Sequence, residues 1–291
     1  MKIFSNLIKR YPVLSFFLLA YGIAWSAILG VAGSKGFRAD QFQLPDIMLM
    51  FAAMLLGPSL AGLILTAVVE GKSGLQTLFS RMGYWQVGIR WYAVVFLFPV
   101  LIIAVLMLLT AFVSPVFVPS FSMIGIVIGL VAGFFEETGW TGFALPRLQM
   151  KHSPLAAGLM LGVLWGFWHL LADYFGNSAS MGALWLPYFL LGFVAAMAAT
   201  RIIITWVYNN TGSILLSQLM HASSTGFLSA LGISAASPMG PQGYALAFVV
   251  YAVALWVVVA IIVARYGQRL VRQTIQMQAA PSQERGLVSS N

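Results

Sequence analysis

Two adjacent carboxylates, Glu136 and Glu137, stand in the stretch GFFEETGWTGFALPRL (133–148), inside an apolar run of helical length with no cation beside them. An acid in hydrocarbon costs roughly 2.5–3.5 kcal/mol on insertion scales, so a carboxylate at that depth reads as part of a site. Neighbouring positions on a helix point in different directions. The two acids therefore divide the labour: one is to meet a substrate or metal, the other a donor behind it. Of the three histidines, His169 and His221 fall in later apolar runs, whereas His152 beside Lys151 reads as a solvated loop residue. Trp165 and Asp173 lie one turn either side of His169. Asp173 either orients the imidazole or, the plainer reading, is an interfacial charge. Ser217, His221 and Thr225 recur at intervals of four, with Gln218 three before the histidine. That polar stripe must face protein or water, as interhelical glue or as part of a site.

Two chemistries suit this set. Glu137, His169 and His221 together make a familiar zinc ligand set, with a fourth position for a water whose pKa the metal lowers to about 7. Without metal, a buried glutamate with a raised pKa is itself a base able to activate water. The sequence leaves both open. It contains no HExxH motif, so the ligands would have to converge from three helices, and it contains no cysteine, which excludes thiolate ligands, disulfides and a cysteine nucleophile.

The elements that must position these groups are membrane helices. With 60% hydrophobic and 8% charged residues over 291 positions, the chain has too little polar surface for a soluble domain. Eight apolar runs approach the length of about 20 residues that crosses a bilayer: 13–31, 47–69, 91–113, 121–145, 154–173, 184–205, 214–233 and 244–264. The expectation is an all-α, polytopic bundle of about eight transmembrane helices. The first run is read as a retained signal anchor, its apolar core being too long for a cleaved signal peptide. Pro58 is expected to kink the second run, and the basic, apolar connector over 70–90 to lie as an amphipathic segment on the inner leaflet.

The net charge of +8 is distributed by side. Eight crossings put Lys2, Lys9, Arg10, Lys72, Arg81, Arg90, Arg147, Lys151, Arg201 and the tail arginines together, leaving Lys35 and Arg38 opposite, balanced by Asp40 and Asp46. This is the positive-inside pattern of an integral, plasma-membrane protein with both termini cytoplasmic, and it argues against nucleic acid as the partner. The chain divides into N-terminal spans (1–120), a central core (121–226), a last span with its loop (227–264) and a basic, partly disordered tail (265–291) that suits anionic lipid.

Three separated motifs carry a resemblance. Glu-Glu followed by Gly-Trp-x-Gly-Phe-x-Leu-Pro-Arg-Leu, then an aromatic four residues before a histidine (Trp165 and His169), then Trp-x-Tyr-Asn-x-Thr-Gly-Ser leading to His-Ala-Ser, is similar to the CPBP family. These are intramembrane proteases related to type II CAAX prenyl endopeptidases and to bacteriocin-processing or immunity proteins. The resemblance implies an endopeptidase that admits a peptide or protein to a cavity between spans, with Glu136, Glu137, His169, His221 and Thr225 as its catalytic set. It also implies that zinc, if used, sits on Glu137, His169 and His221. Two positions depart from the pattern: the arginine expected four residues after Glu137 is Thr141, and the polar amide expected four after His221 is Thr225, which donates one hydrogen bond where an amide gives two. A catalytically inactive immunity or scaffold relative is the second reading, and a transporter whose glutamates carry protons or cations the third. Drawn as straight spans, Glu137 lies toward the cytoplasmic end of its helix and His169 nearer the outer end of its own, a gap the fold has to close.

Overall fold

The computed structural model describes residues 2–233 and 237–271, and the expected tail beyond 271 lies outside them. Every regular element among the described residues is helical. All eight apolar runs become helices, and six helices are long and apolar enough to cross a membrane. The principal helices are α1 (Pro12–Ser34), α2 (Leu44–Met82), α3 (Ile89–Phe112), α4 (Met123–Gly139), α5 (Pro154–Trp168), α6 (Leu170–Met181), α7 (Ala195–Thr211), α8 (Ile214–Ala230) and α9 (Gly240–Tyr266).

Two glycine ladders set the closest packing. Gly125, Gly129 and Gly133 recur every four residues along one face of α4, and that face seats α8. A Cβ on Gly129 would lie 2.5 Å from the Ala222 carbonyl oxygen and from Gly226 Cα. Gly158, Gly162 and Gly166 form the same ladder on α5 and seat α7, where a Cβ on Gly162 would come within 2.6 Å of Ala198 Cα and 2.9 Å of Arg201 Cβ. In lipid there is no hydrophobic drive to bring helices together, so close backbone approach over small residues supplies the contact.

Several expectations change. Helical geometry persists through Pro58, and the long helix α2 breaks instead at Gly71, where φ is 69° and ψ −154°. A straight helix of its 39 residues would run about 58 Å, well beyond the hydrocarbon core. Gly71 supplies the positive φ that turns the end aside. The segment read as lying on the inner leaflet is thus the end of α2, and one of its faces packs on protein. Leu78 is buried, Arg81 donates to the Tyr208 hydroxyl at 3.0 Å, and Glu70 pairs with Arg147, while Phe79 and Trp85 remain exposed. The fifth run is not one straight span, because it is interrupted at His169 between α5 and α6.

Candidate active site

The glycine ladder of α4 continues by one more step of four to Glu137, so the seam that buries glycine against α8 also aims this carboxylate at α8. There His221 Nδ1 donates to Glu137 Oε1 at 2.8 Å. From α7, the Arg201 guanidinium grips the same carboxylate in a two-pronged pair, Nη2 to Oε1 and Nη1 to Oε2, each at 2.7 Å. Thr141 adds its hydroxyl to Oε2 at 2.5 Å. Glu137 and Arg201 are both 0% exposed. Breaking such a buried pair by removing one partner costs about 3–5 kcal/mol.

Glu136, one position on, faces elsewhere. Its Oε2 accepts from the indole N–H groups of Trp140 at 3.2 Å and Trp165 at 2.9 Å. Its Oε1 takes no hydrogen bond from any described residue, and the side chain keeps 5% exposure where Glu137 keeps none. The two acids thus have different partners, as their helical offset requires. The local backbone helps. After α4 the chain passes through a π-turn, Trp140–Ala144, with the Leu145 N–H reaching back to the Trp140 carbonyl. Pro146, which follows, has no N–H to give. Single π-turns of this kind often lie at functional sites.

Trp165 ties the site together. Besides its bond to Glu136, its ring lies 4.9 Å from the His221 ring, 5.9 Å from the His169 ring and 4.6 Å from the Arg201 guanidinium carbon, centroid to centroid for the rings. This closes the gap between the levels of Glu137 and His169: the turn carrying Trp165 and His169 lies level with the glutamates. His169 itself is half-buried, and its Nδ1 bonds the Trp165 carbonyl at 3.0 Å, with Trp168 and Phe193 against its ring. Carbonyl and carboxylate oxygens only accept. The Nδ1 proton is therefore present on both histidines, and Nε2 is the free nitrogen of each. Helix α1, which showed no chemistry in sequence, secures this turn: Trp25 Nε1 donates to the Trp168 carbonyl at 2.9 Å, and the Tyr21 hydroxyl donates to the Leu164 carbonyl.

The remaining residues divide. Thr225, one turn beyond His221, is half-buried, and its hydroxyl bonds no other described residue. Asp173 is neither an orienter of His169 nor an interfacial charge. It is buried to 8% exposure and accepts from Trp185 Nε1 at 2.8 Å, Asn177 Nδ2 at 3.0 Å and the Tyr188 hydroxyl at 3.2 Å, which pins α6 against the helical segment (185–194) leading into α7. His152 is exposed, as expected. Most consequential is Arg201. The sequence placed it at the inner end of a span among the solvated cations, and placed no cation near the glutamates, yet it is the buried cation of Glu137.

As arranged, these residues do not fit zinc. A zinc site draws three deprotonated ligands to about 2.0–2.2 Å. Here both oxygens of Glu137 are already taken by a guanidinium, an imidazole N–H and a hydroxyl. Among the described residues no group of three histidine, aspartate or glutamate side chains is disposed to hold a metal ion.

Comparison with known proteins bears on the same stretch. Residues 118–227 match the family model described as "Type II CAAX prenyl endopeptidase Rce1-like". A curated relative, "CAAX prenyl protease 2" of Methanococcus maripaludis, is 33% identical over 97 residues, which cover 32% of this chain and 35% of the relative. The chain therefore spans about a third of the length of the relative it matches.

Proposed function

We propose that this chain belongs to the family whose model residues 118–227 match, and that it is an intramembrane endopeptidase whose water is activated by Glu136 without metal. The observation that carries the reading is the unequal state of the two glutamates. Glu137 is fully engaged by Arg201, His221 and Thr141, while Glu136 has one oxygen fixed by two indoles and the other free.

In this mechanism Glu136 Oε1 takes a proton from a water molecule, and the other O–H of that water is held by the unprotonated Nε2 of His169. The water oxygen attacks the peptide carbonyl carbon. His221, with one proton fixed on Nδ1 by Glu137 and a second taken up from solvent at Nε2 before the substrate binds, donates its Nε2–H to the developing oxyanion, joined by the Thr225 hydroxyl. Glu136 then hands its proton to the leaving amine as the C–N bond breaks. Glu137 stays ionised throughout and orients His221. Burial of Glu137, Trp165, Arg201 and His221 lowers the local dielectric and strengthens these interactions.

The substrate is a peptide or protein, and the lipid bilayer is the surrounding partner. Both termini are proposed to be cytoplasmic from the charge distribution, with the plasma membrane as the site. Departures at Thr141 and Thr225 suggested an inactive relative, but the cation lost at 141 is present on α7, which favours catalysis.

The test is cleavage of C-terminal tetrapeptide substrates, prenylated and unmodified, by detergent-purified protein with and without a strong chelator. We expect cleavage that survives chelation and falls by at least about 100-fold in His169→Ala. Chelator-sensitive cleavage would overturn the metal-free mechanism, and absence of cleavage by the wild type would favour the inactive reading.

A further inference from the structure

We infer that Arg201 is a positioning residue that has taken over, from a different helix, the role of the arginine that the family pattern places at position 141, locking Glu137 so that the proton on His221 Nδ1 is held in one direction. This deepens the peptidase reading above and rests on it for its kinetic arm.

Several observations converge. Arg201 is fully buried on α7, a helix enclosed by the bundle along most of its length, with the buried apolar residues Ile202, Ile203 and Ile204 directly after it. Its pairing with Glu137 is two-pronged, at 2.7 Å on each arm, the geometry in which a planar guanidinium fixes a carboxylate plane rather than merely neutralising it. Fixing that plane fixes the direction of Oε1, which is the atom accepting from His221 Nδ1. A lysine, as a single point charge, would leave the plane free to rotate.

Position 141 lies at the same spot. The Thr141 hydroxyl reaches Glu137 Oε2 from the π-turn that follows α4 and stands 3.4 Å from Arg201 Nη1. An arginine at 141 would therefore compete with Arg201 for one carboxylate in one buried volume, so the chain has room for one of the two. The small residue at 141 and the large one at 201 are halves of the same exchange. The approach that permits it is prepared by Gly162, above which Arg201 Cβ passes closely. The Trp165 ring, 4.6 Å from the guanidinium carbon, supplies a face for the cation and keeps it in plane with Glu137.

The inference predicts that the two positions exchange. Arg201→Met should lower kcat by about 100-fold with KM changed less than about twofold, because the substrate does not touch Arg201 and only the direction of His221 is lost. The reciprocal double variant Thr141→Arg with Arg201→Thr returns an arginine to the carboxylate from its own helix, with total volume conserved. It should recover kcat to within about tenfold of wild type. A second readout needs no turnover. The chain has three histidines, so 15N-imidazole spectra of the purified protein resolve the His221 Nδ1–H directly. It should be a sharp, slowly exchanging signal in the wild type and in the exchanged variant, and broadened or lost in Arg201→Met and in Arg201→Lys.

An Arg201→Met protein that keeps both the signal and wild-type kcat would overturn the inference. So would an exchanged variant as impaired as Arg201→Thr alone. Glu136→Gln separates this inference from the peptidase reading: should that variant cleave like wild type while Arg201→Met loses the signal, the assignment of Glu136 fails and the positioning role of Arg201 stands.

Discussion

At the scale of single residues, the chemistry rests on what each carboxylate oxygen is given. Glu136 Oε2 draws two indole N–H groups, from Trp140 and Trp165. A hydrogen bond to a charged acceptor is worth about 1.5–3 kcal/mol. Trp165→Phe keeps the ring and removes only the donor, so kcat should fall by about 10- to 100-fold, with the thermal unfolding midpoint in detergent lowered only modestly. A kcat equal to wild type would show that Trp165 does not hold Glu136. The acids and histidines were legible in the sequence because a titratable group in an apolar run stands out by cost alone. Arg201 was not, because a cation near the end of a hydrophobic segment has the same appearance whether it reaches water or turns inward. The vacancy of arginine at 141 was the available signal: a buried Glu137 left without a cation required one from elsewhere.

At the scale of elements, two ladders of glycine decide which side chains meet. Glu137 falls on the four-residue repeat of Gly125, Gly129 and Gly133, and Arg201 faces Gly162 on the second ladder. Both repeats are visible in the sequence, and read as helix seams they would have distinguished the inward-facing Glu137 from Glu136. The break at His169 was less legible. No proline or glycine marks it, and it depends on carbonyls satisfied from α1 by Tyr21 and Trp25. Overpacking a tight seam costs about 1–3 kcal/mol. Gly129→Val, whose new Cβ meets the Ala222 carbonyl and Gly226, should lower the unfolding midpoint and reduce cleavage together. An unchanged midpoint would mean that α4 and α8 do not pack through this seam. Asp173 permits a cleaner comparison. Asp173→Ala leaves two neutral donors, from Trp185 and Asn177, without their acceptor, while the Tyr188 hydroxyl keeps that of Tyr244, and should destabilise by roughly 1–3 kcal/mol. Asp173→Asn, which keeps an acceptor oxygen, should lose less. Equal losses would assign the effect to charge alone.

At the scale of the whole molecule, composition was sufficient to read an all-α membrane bundle, and every apolar run is helical along most of its length. The number of crossings was harder to read. The fifth run divides at His169, and the seventh forms a helix of 17 residues lined with Ser217, Gln218, His221 and Ser224, all buried in the bundle. Polar residues there lower the apolar signal of this run, and Ser217, Gln218 and Ser224 spend their side-chain donors on backbone carbonyls. The proposed orientation rests on the cations that remain after Arg201 is removed from the tally, and it can be mapped simply because the chain has no cysteine. Single-cysteine variants Lys9→Cys and Arg265→Cys should react with an impermeant thiol reagent only from the cytoplasmic face, and Arg38→Cys only from the opposite face. Labelling of Arg38→Cys and Lys9→Cys from one face would contradict the proposed topology.

The bundle brings groups from α4, α5, α7 and α8 to one buried place and leaves one oxygen of Glu136 free to act there. The most direct measurement is therefore single-turnover cleavage by Glu136→Gln beside the wild type, in preparations matched for thermal unfolding. We predict a loss of about 100- to 10,000-fold in the rate of bond breaking, with substrate affinity unchanged. A Glu136→Gln protein that folds as the wild type does and cleaves at the same rate would contradict it.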